Sequence, residues 1–144
     1  MTASRGASKP GNDATAALDS LDLSMELNTD ELIRALKHYR RIARQDILQA
    51  EASADGEHLL LHAESRREVY SHLADIADTK PATEVVREAL RLYQELPFVT
   101  GTPEGSFTVE KGRENALENF FVMVNLPPRV RRTVRSTRSR PADG

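Results

Sequence analysis

From Leu21 the chain alternates: Leu21, Leu23, Met25 and Leu27 are apolar, and Asp22, Ser24 and Glu26 between them are polar. A period of two marks a strand with one buried face, so a short N-terminal strand is expected here. At Asn28-Thr29-Asp30 the pattern changes. Cap-type side chains precede Glu31, which puts an acid in a first helical turn. Leu32, Leu36, Tyr39, Ala43 and Ile47 then fall on one helical stripe, with Arg34, Lys37, Arg41 and Arg44 on the opposite face. A basic face of that kind is either simply solvated or laid against nucleic acid. The helix is expected to reach about Ala52, although Ile47–Ser53 also reads as a strand that turns at Asp55-Gly56 and pairs with Leu59–Ala63.

A second unit begins after that turn. Leu59, Leu61 and Ala63 alternate with His58, Leu60 and His62, which predicts a short strand. Ser65 and Glu68 match the Ser-x-x-Glu capping box, in which hydroxyl and carboxylate each satisfy a free N–H of a helix start. Val69, Leu73, Ile76 and Ala77 make the buried stripe of that helix. Pro81 bars Lys80 from helical angles and ends it, and Thr83 or Asp78-Thr79 can cap the next. Val85, Val86, Ala89, Leu90, Tyr93 and Leu96 form a wide apolar face, with Glu84, Arg87, Glu88 and Arg91 outside, and Pro97 stops the helix. One strand and two helices cannot cover their own apolar faces. A second copy is therefore expected to do so, with Leu59, Leu61, Val85, Val86, Ala89, Leu90 and Tyr93 at the interface of a homodimer.

Helix, short break, then Thr83-Glu-Val-Val-Arg-Glu-Ala-Leu-Arg-Leu-Tyr93 resembles the second half of the ribbon-helix-helix family, which includes MetJ- and Arc-type repressors and many antitoxins. The resemblance covers about Leu59 to Leu96. It implies an interlocked dimer whose paired strands enter the DNA major groove. On this chain the base-facing positions would be His58, Leu60 and His62, and Thr83 with its following amides would clamp a phosphate. Some relatives of that family continue into a Gly-containing loop and a small hairpin. Gly101–Gly105, Ser106–Glu110, a turn at Lys111-Gly112 and the apolar run Phe120–Val124 look similar to that extension. The expected class is thus mainly α with short strands, an α+β fold.

Length and composition bound the rest. The 144 residues allow one domain. The expected organisation is a disordered 1–17, a strand and helix over 18–56, the ribbon-helix-helix-like unit over 57–98, a loop and hairpin over 99–126, and a disordered Arg-rich tail over 127–144. Arg129, Arg131, Arg132, Arg135, Arg138 and Arg140 mask a more acidic remainder, since the whole chain carries only −2. Such an arm can condense on phosphates with a salt-dependent affinity, or can serve solubility alone. Absence of Cys excludes disulfides and thiolate chemistry, and no run is apolar and long enough for a membrane span or signal segment, so a cytoplasmic protein without membrane contact is expected.

Other chemistry is thin. His58 and His62 have the spacing of helical metal ligands, but in a strand they would stand about 13 Å apart. Gly101-Thr-Pro-Glu-Gly105 lacks the Lys-Ser/Thr of a phosphate loop, and capping explains Ser65 better than nucleophilic work beside His62. No catalytic set, metal or cofactor is expected. The function expected from the sequence is a dimeric DNA-binding transcription regulator. The alternative is a protein–protein module, antitoxin- or adaptor-like, holding a partner through residues 21–52.

Overall fold

The computed structural model describes residues 28–139, and every regular element in that range is a helix. They are α1 (Thr29–Glu51), α2 (Glu57–Ala77), α3 (Ala82–Glu95), α4 (Thr108–Met123) and α5 (Pro128–Arg135). The α+β expectation is therefore corrected to an all-helical fold among the described residues. The strand read over 21–27 lies outside them.

α1 starts as its sequence dictates. The Asn28 side chain accepts the Glu31 N–H at 3.1 Å, Asp30 and Glu31 occupy the positive end of the helix, and the buried positions Leu32, Leu36, Ala43 and Ala50 follow at helical spacing. The helix runs to Glu51, so Ile47–Glu51 is helix and not strand. A short turn reverses the chain into α2. Asp55-Gly56 is a helix–helix corner, and Gly56 is needed there because a Cβ would lie 1.9 Å from the Ala50 carbonyl oxygen. The pairing of Tyr39 with Tyr70 and of Asp46 with Arg66 shows the two helices antiparallel.

The expected ribbon strand is the first turn and a half of α2. Leu59-Leu60-Leu61 is apolar at every position, so over so short a run its alternation carries no period of its own. Ala63, Val69, Tyr70, Leu73, Ala74 and Ala77 continue it at helical spacing, and the longer pattern wins. Ser65 is consequently not a cap. It is buried inside the helix, where its hydroxyl donates to the Leu61 carbonyl at 2.6 Å.

Pro81 does separate two helices, standing at the N-cap of α3. The face of Val85, Val86, Ala89, Leu90 and Tyr93 is fully buried, but within one chain. Its cover lies in a single core cluster of the same chain, and the cover assigned to a second copy comes from α2, α4 and α5, with Leu73, Leu117, Phe120, Phe121, Val130 and Val134 among the cluster's residues. Of the other two residues placed at that interface, Leu59 is 61% and Leu61 38% exposed.

The expected hairpin is α4. Lys111-Gly112 is no turn: Gly112 sits inside the helix and is buried where α4 crosses α2. A Cβ there would lie 2.7 Å from the His62 carbonyl oxygen and 2.8 Å from Ser65 Cβ. α2 and α4 run parallel, with Gly112 beside His62 and Asn119 beside Tyr70.

The Arg-rich segment is also ordered by packing. Pro128 opens α5, Val130 and Val134 bury one turn apart, and Arg132 and Arg135 lie at the negative end of the helix. A segment expected to be disordered is therefore helical over Pro128–Arg135.

Candidate nucleic-acid interface

The residues named for DNA contact do not converge. His58 and His62 stand one turn apart on α2 and Leu60 lies on the opposite side of the helix, so no groove-reading ribbon exists among the described residues. His62 Nδ1 accepts from Arg66 Nε at 3.1 Å, and burial, then the Arg66 charge, holds its pKa below the ordinary value. That imidazole is half-buried, with its Nδ1 already engaged by Arg66. Thr83 is half-buried in the first turn of α3, behind a proline cap rather than capping it.

The arginines of the C-terminal segment divide. Arg129 and Arg132 are exposed. Arg131 pairs with Glu118 at 2.6 Å, and Arg135 lies 3.9 Å from Glu114 with its guanidinium near the Phe98 ring. Arg138 is buried: it pairs with Glu114, donates through Nε to the Tyr93 carbonyl at 2.8 Å, and stacks 4.1 Å over the Tyr93 ring. Three arginines read as a phosphate-seeking arm thus close the end of the bundle instead.

The same network sets an alkaline limit. The Tyr93 hydroxyl donates to Glu118 at 2.7 Å; burial first, then that carboxylate, pushes its pKa far above the ordinary value. Burial also raises Tyr70. Both phenols are neutral in the fold and ionise near pH 10 when unfolded, so their stabilisation is complete below about pH 10 and is lost as pH rises towards the folded values. Denaturation midpoints are expected to fall above that pH, with the phenolate absorbance of these two tyrosines appearing only on unfolding. Phenolate from all three tyrosines ahead of unfolding would contradict the burial argument.

A polar recess of about 530 Å³ opens beside this network, lined by His62, Thr100, Lys111, Glu114 and Glu118 among others. Its charged groups are already occupied: Glu114 and Glu118 by arginines, Lys111 by the Pro103 carbonyl. A second hollow, about 510 Å³, lies between α2, α3 and α4 over Val69, Leu92, Leu96 and Leu117. Its rim is a mixed network in which His72 and Arg91 both bind Glu88.

One surface differs from all of these. Lys37, Arg40, Arg41 and Arg44 of α1 and Arg67 of α2 line a shallow concavity of about 210 Å³. None of the five makes an ion pair or a side-chain hydrogen bond among the described residues, whereas Arg66, Arg87, Arg91, Arg113, Arg131, Arg135 and Arg138 all do. Lys37 and Arg44 stand about 10 Å apart along the helix axis. Arg34 extends the stripe by one more turn. The surface stops on the α2 side, where Glu64, Glu68 and Asp75 share the next hollow with Arg67.

Arg34, Lys37, Arg41 and Arg44 are visible in the sequence as the outer stripe of α1. Arg40 escapes that reading because it borders the buried side, and Arg67 because it joins the site only once the α1–α2 hairpin is formed. Among the described residues no three of His, Cys, Asp and Glu gather as a metal ion requires, and no helix is long and apolar enough to cross a membrane. No protein-family model, curated protein or solved structure matches the chain.

Proposed function

We propose that the chain binds nucleic acid by its phosphate backbone, through the basic face of α1 and α2. The observation that carries this reading is the set of five neighbouring cations without an acidic partner among the described residues, in a chain whose net charge is −2. Like charges held together repel one another, and a polyanion relieves that repulsion while releasing its own counterions. The face offers Lys and Arg and no aromatic platform, so it tracks phosphates without reading bases. The ribbon mechanism has no place among the described residues, whose regular elements are all helices; regulation of transcription would rest on shape and charge.

Titration of a fluorescent duplex at several salt concentrations tests the reading. Four or five phosphate contacts give a slope of log affinity against log salt of about −4. Lys37→Ala/Arg41→Ala/Arg44→Ala is expected to flatten that slope by about 3 and to weaken binding roughly a hundredfold at low salt. These side chains are exposed, so the fold should survive. Equal affinity and slope in the triple variant would remove the assignment.

A protein partner held through residues 21–52 is the second reading, favoured by Leu48, which is 58% exposed on the same helix. A stoichiometric protein recovered from the native cell without nucleic acid would support it.

A further inference from the structure

The basic face contains two arrangements of cations that differ in shape. Lys37, Arg40, Arg41 and Arg44 recur at i, i+3, i+4 and i+7, so they leave α1 on one side within two turns. Arg67 joins them from α2, and the five line the concavity of about 210 Å³. Arg34 continues the line of Lys37, Arg41 and Arg44 along α1 but takes no part in the concavity. Arg40 and Arg67 line the concavity and lie off that line. We propose that this concavity seats the end of a short phosphate chain, two or three linked phosphates carried by a nucleotide or by the 5′ end of a strand. Backbone phosphates then follow the outer line from Arg34 to Arg44. This rests on the phosphate-binding reading of the face and names the group that its centre selects.

Charge density argues for an end group. The five cations share one hollow, and none is neutralised by a carboxylate among the described residues. Arg40 is half-buried even so. A backbone diester brings about one negative charge, whereas a terminal phosphate brings about −1.5 to −2 with three acceptor oxygens. Linked phosphates behind it add further charge in the same small space. Four of the five cations are arginines, whose forks hold such oxygens two at a time. Size and lining argue against anything larger. About 210 Å³ lies below the ~300–1,000 Å³ of sites that enclose a drug-sized ligand, and no aromatic or apolar side chain lines the hollow. The phosphates enter, the nucleoside stays outside, and base identity goes unread. Glu64, Glu68 and Asp75 in the next hollow repel the chain on that side and mark the end of the seat.

Calorimetric titration of the full chain with inorganic tripolyphosphate, free of divalent ions, tests this. Tripolyphosphate is expected to bind roughly tenfold or more tightly than orthophosphate, and adenosine and guanosine triphosphates should match it within about twofold. Arg67→Ala and Arg40→Ala/Arg67→Ala should weaken tripolyphosphate progressively, to roughly a tenth in the double variant, while duplex affinity changes less than about threefold. Arg34→Ala should do the reverse. Arg34 and Arg67 are exposed, so both single variants keep the fold. A strand with a 5′-triphosphate, set against the same strand with a 5′-hydroxyl, separates the two sources. A preference of roughly tenfold assigns the seat to strand ends, and equal binding beside tight tripolyphosphate binding assigns it to free phosphate chains. Tripolyphosphate no tighter than orthophosphate, or parallel losses of both ligands in all three variants, overturns the proposal. The two readings fail separately. Duplex binding without tripolyphosphate binding removes the seat alone. Tripolyphosphate binding without duplex binding removes the nucleic-acid function and leaves the seat.

Discussion

Arg138→Ala should lower the melting temperature by roughly 10 °C or more, a loss of about 3 kcal/mol. The guanidinium is wholly buried, and three different groups depend on it: the Glu114 carboxylate, the Tyr93 carbonyl and the Tyr93 ring. Alanine leaves Glu114 largely buried with only the longer contact to Arg135, and leaves the Tyr93 carbonyl with only the long bond from the Leu96 N–H at 3.4 Å. Removing one member of a buried pair costs more than the pair was worth, because the survivor remains desolvated. Neutralising that survivor should therefore restore part of the loss, and Arg138→Ala/Glu114→Gln is expected to be more stable than Arg138→Ala alone. A single variant within about 1 kcal/mol of the parent would show that α5 is held by Val130 and Val134 alone.

Gly112→Val is expected to cost about 3 kcal/mol, read from the same thermal or denaturant melts. Valine is a slightly better helix former than glycine, so an isolated α4 would gain from the change. Packing decides against it. The new Cβ would meet the backbone of His62 at 2.7 Å as well as Ser65 Cβ, and a backbone atom cannot rotate out of the way. α4 would have to lift from α2 and take Leu117, Phe120 and Phe121 with it. Gly112→Ala should fall between the two. A valine variant as stable as the parent would mean that the helices cross less closely than they stand here.

How legible each element is in the sequence depends on how many residues carry its signal. α1 is legible nearly to its end because a side-chain cap, a long stripe and an opposite basic face agree over more than five turns. The break at Pro81 is legible for a local reason that no tertiary contact can override. The start of α2 reads falsely as a strand because Leu59-Leu60-Leu61 satisfies both periods, and a cap-like Ser65 marks a start that in fact lies at Glu57. α4 reads falsely as a hairpin because Gly112 resembles a turn residue, whereas it is small to admit another helix. Its φ is unremarkable, and among the glycines of the described residues Gly101 and Gly105 need the left-handed region. The arginines after Pro128 look solvated in the sequence because their partners, Glu114 and Glu118, sit about one and a half to three turns back on α4, where no periodicity connects the two segments. Of the candidate face, the α1 stripe is legible and the contribution of Arg67 is not.

α1 makes its main packing against α2, while α2, α3 and α4 share the middle of the core. The helix that carries most of the basic face is therefore held chiefly by one neighbour. Amide hydrogens of α1 should exchange through partial openings that leave the α2–α4 crossing closed, at lower free energy than global unfolding. A bound polyanion, gripping Lys37 to Arg44 on α1 and Arg67 on α2, would slow that exchange first and most. Occupancy of the face would then be written in the lifetime of a single hairpin, before any change registers in the melting of the whole molecule.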